Sequence, residues 1–584
     1  MLKKPTGLVS AALLFIVLGL LFAPIPAGAS DVVPNVTTEM LSPDFWISKL
    51  PDPDRLIMNT AEIEAFNQDI LRTQPDVVYD LANYPASLDH DQLTKLVTKR
   101  PFPDEERYSG GIKVDGSYYE SLQGQMNLPG IMDKNEVSLA LTVQRTSIRT
   151  FPTADESLSE PDDHDFDMFQ ETAVGPAEPV LLLHQSLDGQ WYFVQTYNYN
   201  GWMPAGDLAI AGDRQTWLDY VQPETFLVVT GNRLKLDKGP YPGLELTMGT
   251  KVPLENNGAV TGQAYTIELP ARGAQGELKF ETALAPVAAD VTVGYLPYTR
   301  ANILRQAFKI LGERYGWGGL FNGRDCSAFV MDVYKSFGLL LPRNGDEQEQ
   351  SAGQTVRFEG QDINQRYALM DTLQPGASLH TPTHEMLYLG KHEGRYYVIH
   401  DVTSVGDPTN PNADGSPGIL TLNRVVVSDL SLPRRNGQPF INALTGGNQL
   451  ESGKSAAEPG INYNVAVYVN GSQIAFPDQK PYLDDSAGRV LVPVRFVSET
   501  LGAGVEWQAK EQKVIIQKGD KKVILTIGGK TFSVGGQVYP LDSPAIIVNN
   551  RTIAPLRFVS EALNAKVTWT QGDDGGRVNI SYGE

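Results

Sequence analysis

The sequence predicts a multidomain α+β fold, and three observations lead to that prediction. The chain has 584 residues, whereas single hydrophobic cores stop growing near ~250–300 residues. Short strand patterns with glycine turns fill its middle, and helix and strand patterns mix after residue 293. An internal repeat occupies 464–584. We therefore expect small β-barrels, then one α+β domain, then a C-terminal α+β repeat domain.

The first residues have the pattern of a secretory signal peptide. Lysines at positions 3 and 4 precede an apolar run over 8–22, and small residues at 27–29 form a cleavage site. The run is short for a membrane span, which needs ~20 apolar residues, although an uncleaved anchor is the alternative. We expect removal of residues 1–29 and a secreted, extracellular or cell wall-associated protein without a membrane span.

Charge and cysteine content narrow the function classes. The formal net charge is -21, and such a surface repels nucleic acid, so no nucleic-acid partner is expected. Cys326 is the only cysteine, which excludes an internal disulfide. His380 and His384 are four residues apart on a strand-like segment, where they do not form a helical metal pair. Neither a metal nor a cofactor is expected.

The segments before residue 293 carry fold signals but no chemistry. Residues 30–135 mix one helical pattern with loop-rich sequence and are predicted to be an N-terminal cap or stabilising region. Strand patterns with a turn at 187–190 and an aromatic cluster at Tyr199-Asn-Gly-Trp202 predict a small barrel over 136–210. Fainter strand patterns predict a second copy of this barrel over 211–292.

Cys326 lies at the start of a predicted helix within the α+β segment 293–446. It shares one helical face with Val330, Val333 and Phe337. The free N–H groups and the positive dipole end of a helix start stabilise a thiolate, so we expect a lowered pKa for this thiol. A thiolate is the nucleophile that amide cleavage needs.

Two histidines flank a predicted hairpin turn centred on His392. In that register His384 and His400 stand directly opposite each other, with Cβ atoms ~4.5–5.5 Å apart. One would take the thiol proton and the other would orient the first. We expect His384 as the base and His400 as the orienting residue, the alternative being that one of them is an ordinary strand residue.

Several spaced motifs resemble the NlpC family of papain-like cell-wall peptidases. The motifs are Tyr315-Gly-Trp-Gly-Gly319, Arg324-Asp-Cys-Ser-Ala-Phe329, Leu341-Pro-Arg343, Gln348, His384 and His400. The segment 136–210 resembles a bacterial Src-homology-3 domain, and the combination is similar to γ-D-glutamyl-L-diamino-acid endopeptidases. The resemblance implies hydrolysis of peptidoglycan stem peptides at the γ-D-glutamyl–diamino acid bond, through a thioester on Cys326. The Src-homology-3-like part would narrow the cleft or position the domain.

The resemblance also implies substrate-binding roles. Tyr315 and Trp317 belong to the loop that lines the site, with Tyr315 near the developing oxyanion. Asp325 and Ser327 would hold the free amine of an N-terminal L-alanine. An aspartate before a helix is also explained as an N-cap, and both roles stay open here. The backbone N–H of Cys326 could serve the oxyanion as well.

The sequence departs from the family pattern at three places. Glu385-Met386 follows His384 where relatives often carry Val-Gly, Gly345 replaces a small hydroxyl or alanine, and 407–417 looks like an insertion. These departures leave three alternatives open. The first is another substrate, such as poly-γ-glutamate or a different stem bond, and the second is an acyltransferase. The third is a non-catalytic protein that binds the cell wall.

The C-terminal segment repeats itself after a predicted linker at 447–463. Residues 490–499 match 552–561, and the offset of 62 residues extends to Trp507 and Trp569. This segment, 464–584, resembles the copper amine oxidase N-terminal-like domain of secreted bacterial proteins. No histidine follows His400 and no cysteine follows Cys326, so nothing there matches a copper site. A spacer role and wall attachment are the two interpretations.

Overall fold

The N-terminal region packs against the later domains. The computed structural model describes residues 33–237, 243–351, 353–413, 415–451 and, within 461–582, all but 463–464, 475, 477–480, 485–488, 509–510, 542, 549–550, 557, 559–561, 564 and 573–574. The predicted signal peptide lies outside the described residues. The first elements are α1 Pro43–Ile47, β1 Leu56–Met58, α2 Thr60–Thr73, β2 Ser87–Asp89, α3 His90–Val97, β3 Tyr108–Ser109, β4 Ile112–Lys113, α4 Gly116–Gln125 and β5 Lys134–Glu136. The ring of Trp46 packs 5.2 Å from that of Tyr397. Asn67 bonds to the backbone of Gly338 and Leu340. The region is thus held against the α+β domain.

A seven-stranded antiparallel sheet follows. Its strands are β6 Ser138–Thr142, β7 Thr146–Arg149, β8 Gln170–Val174, β9 Pro179–Gln185, β10 Trp191–Gln195, β11 Asn200–Pro204 and β12 Leu208–Ile210, in the order β12-β6-β9-β10-β11-β7-β8. The sheet stays open among the described residues instead of closing into the expected barrel. Its edge strand β8 is covered by the α+β domain, since Gln170 donates to Gly318 at 2.8 Å and Arg343 donates to Thr172 at 2.6 Å. A covered edge is protected from further strand pairing, so closure is not needed.

The segment predicted as a second, fainter copy forms three small antiparallel sheets. Its elements are α5 Arg214–Val221, β13 Phe226–Val229, β14 Arg233–Lys235, β15 Glu245–Thr247, β16 Lys251–Pro253, β17 Ala264–Arg272, β18 Leu278–Pro286 and β19 Val291–Val293. The strand orders of the three sheets are β16-β13-β19, β14-β15 and β17-β18. Its assignment as a second copy stays a prediction.

The α+β domain places two helices on one face of a six-stranded antiparallel sheet. Its elements are β20 Tyr298–Thr299, α6 Arg300–Phe308, α7 Cys326–Lys335, α8 Gly345–Glu349, β21 Gln354–Arg357, α9 Ile363–Met370, β22 Ser378–Thr381, β23 His384–His392, β24 Arg395–Asp407, β25 Gly418–Asp429, α10 Phe440–Ala443 and β26 Gly446–Gln449. The strand order is β21-β26-β22-β23-β24-β25. Leu387 and Ile399 pack with α6 and α7 on what we call the helix face. Met386 and Val398 point to the opposite face, the Phe440 face.

The predicted linker begins later than the sequence indicated. Gly446–Gln449 form β26 inside the sheet, Leu450 accepts a hydrogen bond from Tyr298 at 2.8 Å, and Glu451 pairs with Arg300 at 2.6 Å. The prediction that a linker starts at 447 was therefore wrong, because glycine and asparagine there serve a buried strand rather than a flexible segment. Residues 452–460 lie outside the described residues.

The C-terminal domain has its own core and three sheets. Its elements are β27 Ile461–Asn462, β28 Val465–Val469, β29 Ser472–Gln473, β30 Tyr482–Asp484, β31 Arg489–Pro493, α11 Val494–Thr500, β32 Gly504–Gln508, β33 Lys513–Lys518, β34 Lys521–Thr526, β35 Thr531–Val534, β36 Gln537–Pro540, β37 Ile546–Val548, β38 Arg551–Pro555, β39 Lys566–Gly572 and β40 Gly575–Ser581. The matching strands β31 and β38 pair antiparallel, with Leu491 opposite Pro555. Across the described residues of the whole chain, no helix is long and apolar enough to cross a bilayer.

Candidate active site

Helix α7 places Cys326 at its first position. The side chain of Asp325 caps the helix by accepting from the N–H of Ala328 at 3.0 Å, while Phe329, Val330 and Val333 bury the helix against the sheet. Burial of this apolar stripe fixes the helix direction and brings its N-terminus to the start of β23. The thiol of Cys326 lies against the backbone N–H of Glu385, the residue directly after His384.

The thiol is not acidified in the resting site, contrary to the sequence prediction. Desolvation, together with the neighbouring carboxyl groups of Asp325 and Glu385, raises the pKa of Cys326 to about 12. The amide of Glu385 acts in the opposite direction but is outweighed. The helix start was a correct observation, but burial beside two acids disfavours the thiolate more strongly than the N–H groups favour it. The thiol is therefore neutral until a base takes its proton.

His384 and His400 form a hydrogen-bonded pair on the Phe440 face. Nε2 of His384 lies 2.7 Å from Nδ1 of His400, and the ring centroids are 5.0 Å apart. Nε2 of His400 lies 3.0 Å from the hydroxyl of Ser428 on β25. The ring of Phe440 packs against both histidines. The predicted pair is thus real, and Ser428 extends it into a chain that sequence reasoning missed.

The strand register differs from the one predicted. The turn is Glu393-Gly394, both with positive φ, and it is flanked by the pair His392 and Arg395. An irregularity between Tyr388 and Gly390 then shifts the register. The observed pairing of Leu387 with Ile399 places His384 and His400 diagonally on one face instead of directly opposite. Diagonal neighbours remain within reach of long side chains, which is why the contact survives the shift.

Both histidines are held neutral. Burial lowers the pKa of His384 to about 4, and burial with the neighbouring His384 lowers the pKa of His400 well below its usual value. With Nε2 of His384 engaged by His400, Nδ1 is the nitrogen left to accept a proton. The contacts of the described residues do not include a direct hydrogen bond between Cys326 and His384. Catalytic hydrogen bonds are often long without substrate and tighten when it binds.

Asp325 and Ser327, the predicted amine-binding pair, are joined by an arginine. Arg343 donates to a carboxylate oxygen of Asp325 at 2.5 Å and to the hydroxyl of Ser327 at 2.8 Å. Asp325 also accepts from the N–H of Gly318 at 3.1 Å. This charge and these hydrogen bonds outweigh burial and lower the pKa of Asp325. Asp325 is the N-cap, and donors from Arg343, Ser327, Ala328 and Gly318 engage both of its carboxylate oxygens.

The aromatic loop residues contact the seven-stranded sheet domain. Phe166, in the segment between β7 and β8, lies 6.5 Å from the ring of Tyr315 and 5.7 Å from that of Trp317. Arg314 pairs with Asp165 at 2.7 Å in the same segment. Burial and the charges around Cys326 raise the pKa of Tyr315, so its hydroxyl stays a proton donor. The segment between β7 and β8 therefore borders the candidate site, a contact that the predicted narrowing of the substrate cleft requires.

Two departures from the family pattern form a single feature of the helix face. Glu385 is 1% exposed and Asp401 is 0% exposed, and no carboxylate oxygen of either residue has a hydrogen-bond partner among the described residues. A Cβ at position 345 would stand 3.2 Å from Oε2 of Glu385, so Gly345 leaves room for this carboxyl group. Nδ1 of His380, opposite Glu385 on β22, lies 3.8 Å from Oε1. The sequence flagged Gly345 and Glu385 separately, and only the fold joins them.

Unpaired burial keeps both acids protonated. Desolvation, followed by the charge of Asp325, raises the pKa of Asp401 to about 9 and that of Glu385 well above its usual range. The cations nearby are Arg343 for Glu385 and Arg324 for Asp401. Each is already engaged, Arg343 by Asp325 and Arg324 by Glu313 and Asp332. A cationic group brought into this site would find two carboxyl groups able to ionise against it.

Three segments of the chain match known protein families. Residues 312–404 match the NlpC/P60 family, 156–204 match the SH3 domain of SH3b1 type, and 468–575 match the copper amine oxidase N-terminal domain. The α+β domain is thus a papain-like domain of a cysteine peptidase family. Its match to the NlpC/P60 family falls on the segment that carries the motifs around Cys326.

Individual relatives are similar over parts of the chain. A γ-D-glutamyl-L-lysine dipeptidyl-peptidase from Bacillus cereus is 26% identical over 233 residues, which are 38% of this chain and 60% of that protein. A protease inhibitor from Brevibacillus choshinensis is 31% identical over 106 residues, which are 18% of this chain and 32% of that protein. The chain thus spans less than two thirds of these relatives. A solved NlpC/P60 endopeptidase from Photobacterium damselae subsp. piscicida shares the fold with a TM-score of 0.57 at 18% identity, covering 69% of this chain and 96% of that one.

Proposed function

We propose that this protein is a secreted cysteine endopeptidase that hydrolyses peptidoglycan stem peptides at the γ-D-glutamyl–diamino acid bond. The observation that carries the proposal is the position of the Cys326 thiol. It lies at a helix start, against the peptide unit that follows His384, and His384 in turn is hydrogen-bonded to His400. A nucleophile, a base and an orienting group are the parts that amide cleavage through an acyl-enzyme needs.

The reaction proceeds in two steps. Nδ1 of His384 takes the thiol proton as the sulfur attacks the γ-carbonyl carbon, and a C–S bond forms. The C–N bond then breaks, and the same proton passes to the leaving amine of the diamino acid. Water adds to the thioester, His384 takes its proton and returns it to the sulfur, and the acid product leaves. In this mechanism the backbone N–H of Cys326 and the hydroxyl of Tyr315 stabilise the oxyanion.

The helix-face acids support a substrate with a free amine. Asp325 is engaged by Arg343 and two backbone N–H groups, whereas Asp401 and Glu385 have no hydrogen-bond partner among the described residues. An ammonium group near Tyr315 would allow Asp401 to ionise, and their pairing would contribute binding that an acetylated amine loses. The relative named for γ-D-glutamyl-L-lysine supports the same bond.

The test uses the protein from Ser30 onward with L-Ala-γ-D-Glu-diamino-acid tripeptide, and mass spectrometry of the products. Release of L-Ala-γ-D-Glu is expected, with no release by Cys326→Ala and at least about 100-fold less from N-acetylated peptide. Cleavage of poly-γ-glutamate or of another stem bond instead would keep the mechanism and overturn the substrate. Transfer of the acyl group to an added amine in preference to water would indicate an acyltransferase. No cleavage of any of these substrates would support a wall-binding protein.

A further inference from the structure

The C-terminal domain contains a cavity that no part of the proposed reaction uses. It has a volume of about 410 Å³ and lies between the first strand–helix–strand unit and β38 of the second. Its walls include Arg495, Val505, Trp507, Val514, Arg551 and Thr552. This volume falls within the range of ordinary small-molecule sites.

The lining combines a flat aromatic ring with positive charge. Trp507 is 36% exposed, so part of its indole borders the open space. Among the described residues that line the cavity, the charged ones, Arg495 and Arg551, are both arginines. The chain as a whole has a formal net charge of -21. A paired cationic lining on an acidic protein therefore marks a site for one particular kind of ligand.

Neighbouring side chains hold the two guanidinium groups. Arg495 lies 3.5 Å from Glu499 one helical turn later, in an exposed ion pair of the kind that contributes little binding energy of its own. Arg551 lies 5.3 Å above the ring of Phe496. A planar guanidinium group recognises carboxylate or phosphate through two parallel hydrogen bonds.

The second unit offers a contrast at its matching tryptophan. A Cβ on Gly576 would fall 1.6 Å from the indole of Trp569, so that ring lies flat on the backbone of β40. Trp569 is similarly exposed, at 39%. The cavity is lined by Trp507 and not by Trp569, so Trp569, at the matching position of the second unit, is the control residue.

We propose that the cavity binds a sugar unit that carries an anionic group, within a wall polysaccharide. The sugar ring stacks on Trp507, the hydroxyl of Thr552 bonds to it, and Arg495 and Arg551 hold the carboxylate or phosphate group. The C-terminal domain is then a wall anchor and not a passive spacer. This inference does not depend on the peptidase reaction.

The test measures co-sedimentation of full-length Cys326→Ala protein with three insoluble polymers. These are purified wall, wall stripped of phosphodiester polymers by acid, and neutral chitin. Wall binding is expected to weaken at least about tenfold in Trp507→Ala and in the double variant Arg495→Gln/Arg551→Gln. Trp569→Ala should stay within about twofold, and added salt should weaken binding. Retention on stripped wall would assign a carboxylate, and loss would assign a phosphate.

Three outcomes would overturn the proposal. They are equal losses in Trp507→Ala and Trp569→Ala, full binding by the double arginine variant, and chitin binding as strong as wall binding. The double variant changes surface side chains, so it tests the site even where Trp507→Ala fails to fold. In protein that keeps Cys326, the same variants of the C-terminal domain should cleave free tripeptide at the unaltered rate. Loss of wall binding and loss of peptidase activity are therefore distinguishable.

Discussion

Near Cys326, the buried polar groups are hydrogen-bonded on one face of the α+β sheet and lack partners on the other. On the Phe440 face, both ring nitrogens of His400 have partners, His384 on one side and Ser428 on the other. On the helix face, Glu385 and Asp401 have carboxyl oxygens without hydrogen-bond partners among the described residues, as does Nδ1 of His380. His400 and Ser428 on the Phe440 face are as fully buried as Glu385 and Asp401 on the helix face, so burial alone does not explain the difference.

This difference between the two faces shows that some buried polar groups fix a position, whereas others raise the energy of the fold until a partner binds. A satisfied chain of hydrogen bonds fixes the orientation of its members and costs little. Unpaired buried acids destabilise the fold, and such groups are characteristic of functional sites, where a ligand supplies the missing partner. In the proposed mechanism the Phe440 face orients the base, and the acids of the helix face ionise when a cationic group binds.

The strongest test of this division removes one histidine from each face. His384→Gln should lower kcat about 1,000-fold, since a general base contributes ~10²–10⁴-fold. His380→Gln should change kcat less than about tenfold, because His380 has no place in the chain to the thiol. Both values come from steady-state kinetics on the free tripeptide. The opposite ranking would move the base to the helix face.

The orienting histidine should have a smaller effect. His400→Ala leaves His384 in place but removes the partner of its Nε2. We expect kcat to fall about 100-fold with KM changed less than about threefold, because the base loses its fixed orientation and not its chemistry. A loss confined to KM would contradict a positioning role and would indicate that His400 contacts substrate.

The helix face predicts a variant that is more stable. The folded-state pKa of Asp401 is raised to about 9 from its ordinary 3.8, so the folded protein binds more protons between these pH values. The folding stability linked to protonated Asp401 is therefore fully present below about pH 4 and is lost as the pH rises through the folded-state pKa. Asp401→Asn should gain on the order of 2 kcal/mol at pH 7 and less at pH 5. Thermal unfolding at both pH values measures this, and an equal gain at both would refute it.

The sequence supplied the site residues, and the fold supplied their interactions. Helix α7, the pair His384 and His400, and the cap Asp325 followed from periodicity and motifs, because these are local or family-wide signals. The resting protonation of Cys326 did not follow, because it depends on burial of the thiol by the folded chain and on Glu385, which β23 brings to the start of α7. The register also escaped prediction, since the irregularity at 388–390 has no local signature apart from Gly390.

Ser428 shows what only the tertiary structure reveals, since it lies 28 residues from His400. For Nδ1 of His384 to be free, Nε2–H of His384 must donate to Nδ1 of His400, and Nε2–H of His400 must donate to Ser428. The Ser428 hydroxyl can accept the hydrogen bond from Nε2–H of His400 and so stabilises this tautomer. In the opposite tautomer Nδ1 of His384 would carry the hydrogen and could not act as the base.

Ser428→Ala should therefore lower kcat about three- to tenfold, the smallest of these effects, because a neutral hydrogen bond contributes ~0.5–1.5 kcal/mol. Ser428→Thr keeps the hydroxyl and should recover most of the activity. A Thr variant as impaired as Ala, with both folded by circular dichroism, would show that packing at position 428 matters and that tautomer selection does not. That result would confine the catalytic chain to His384 and His400.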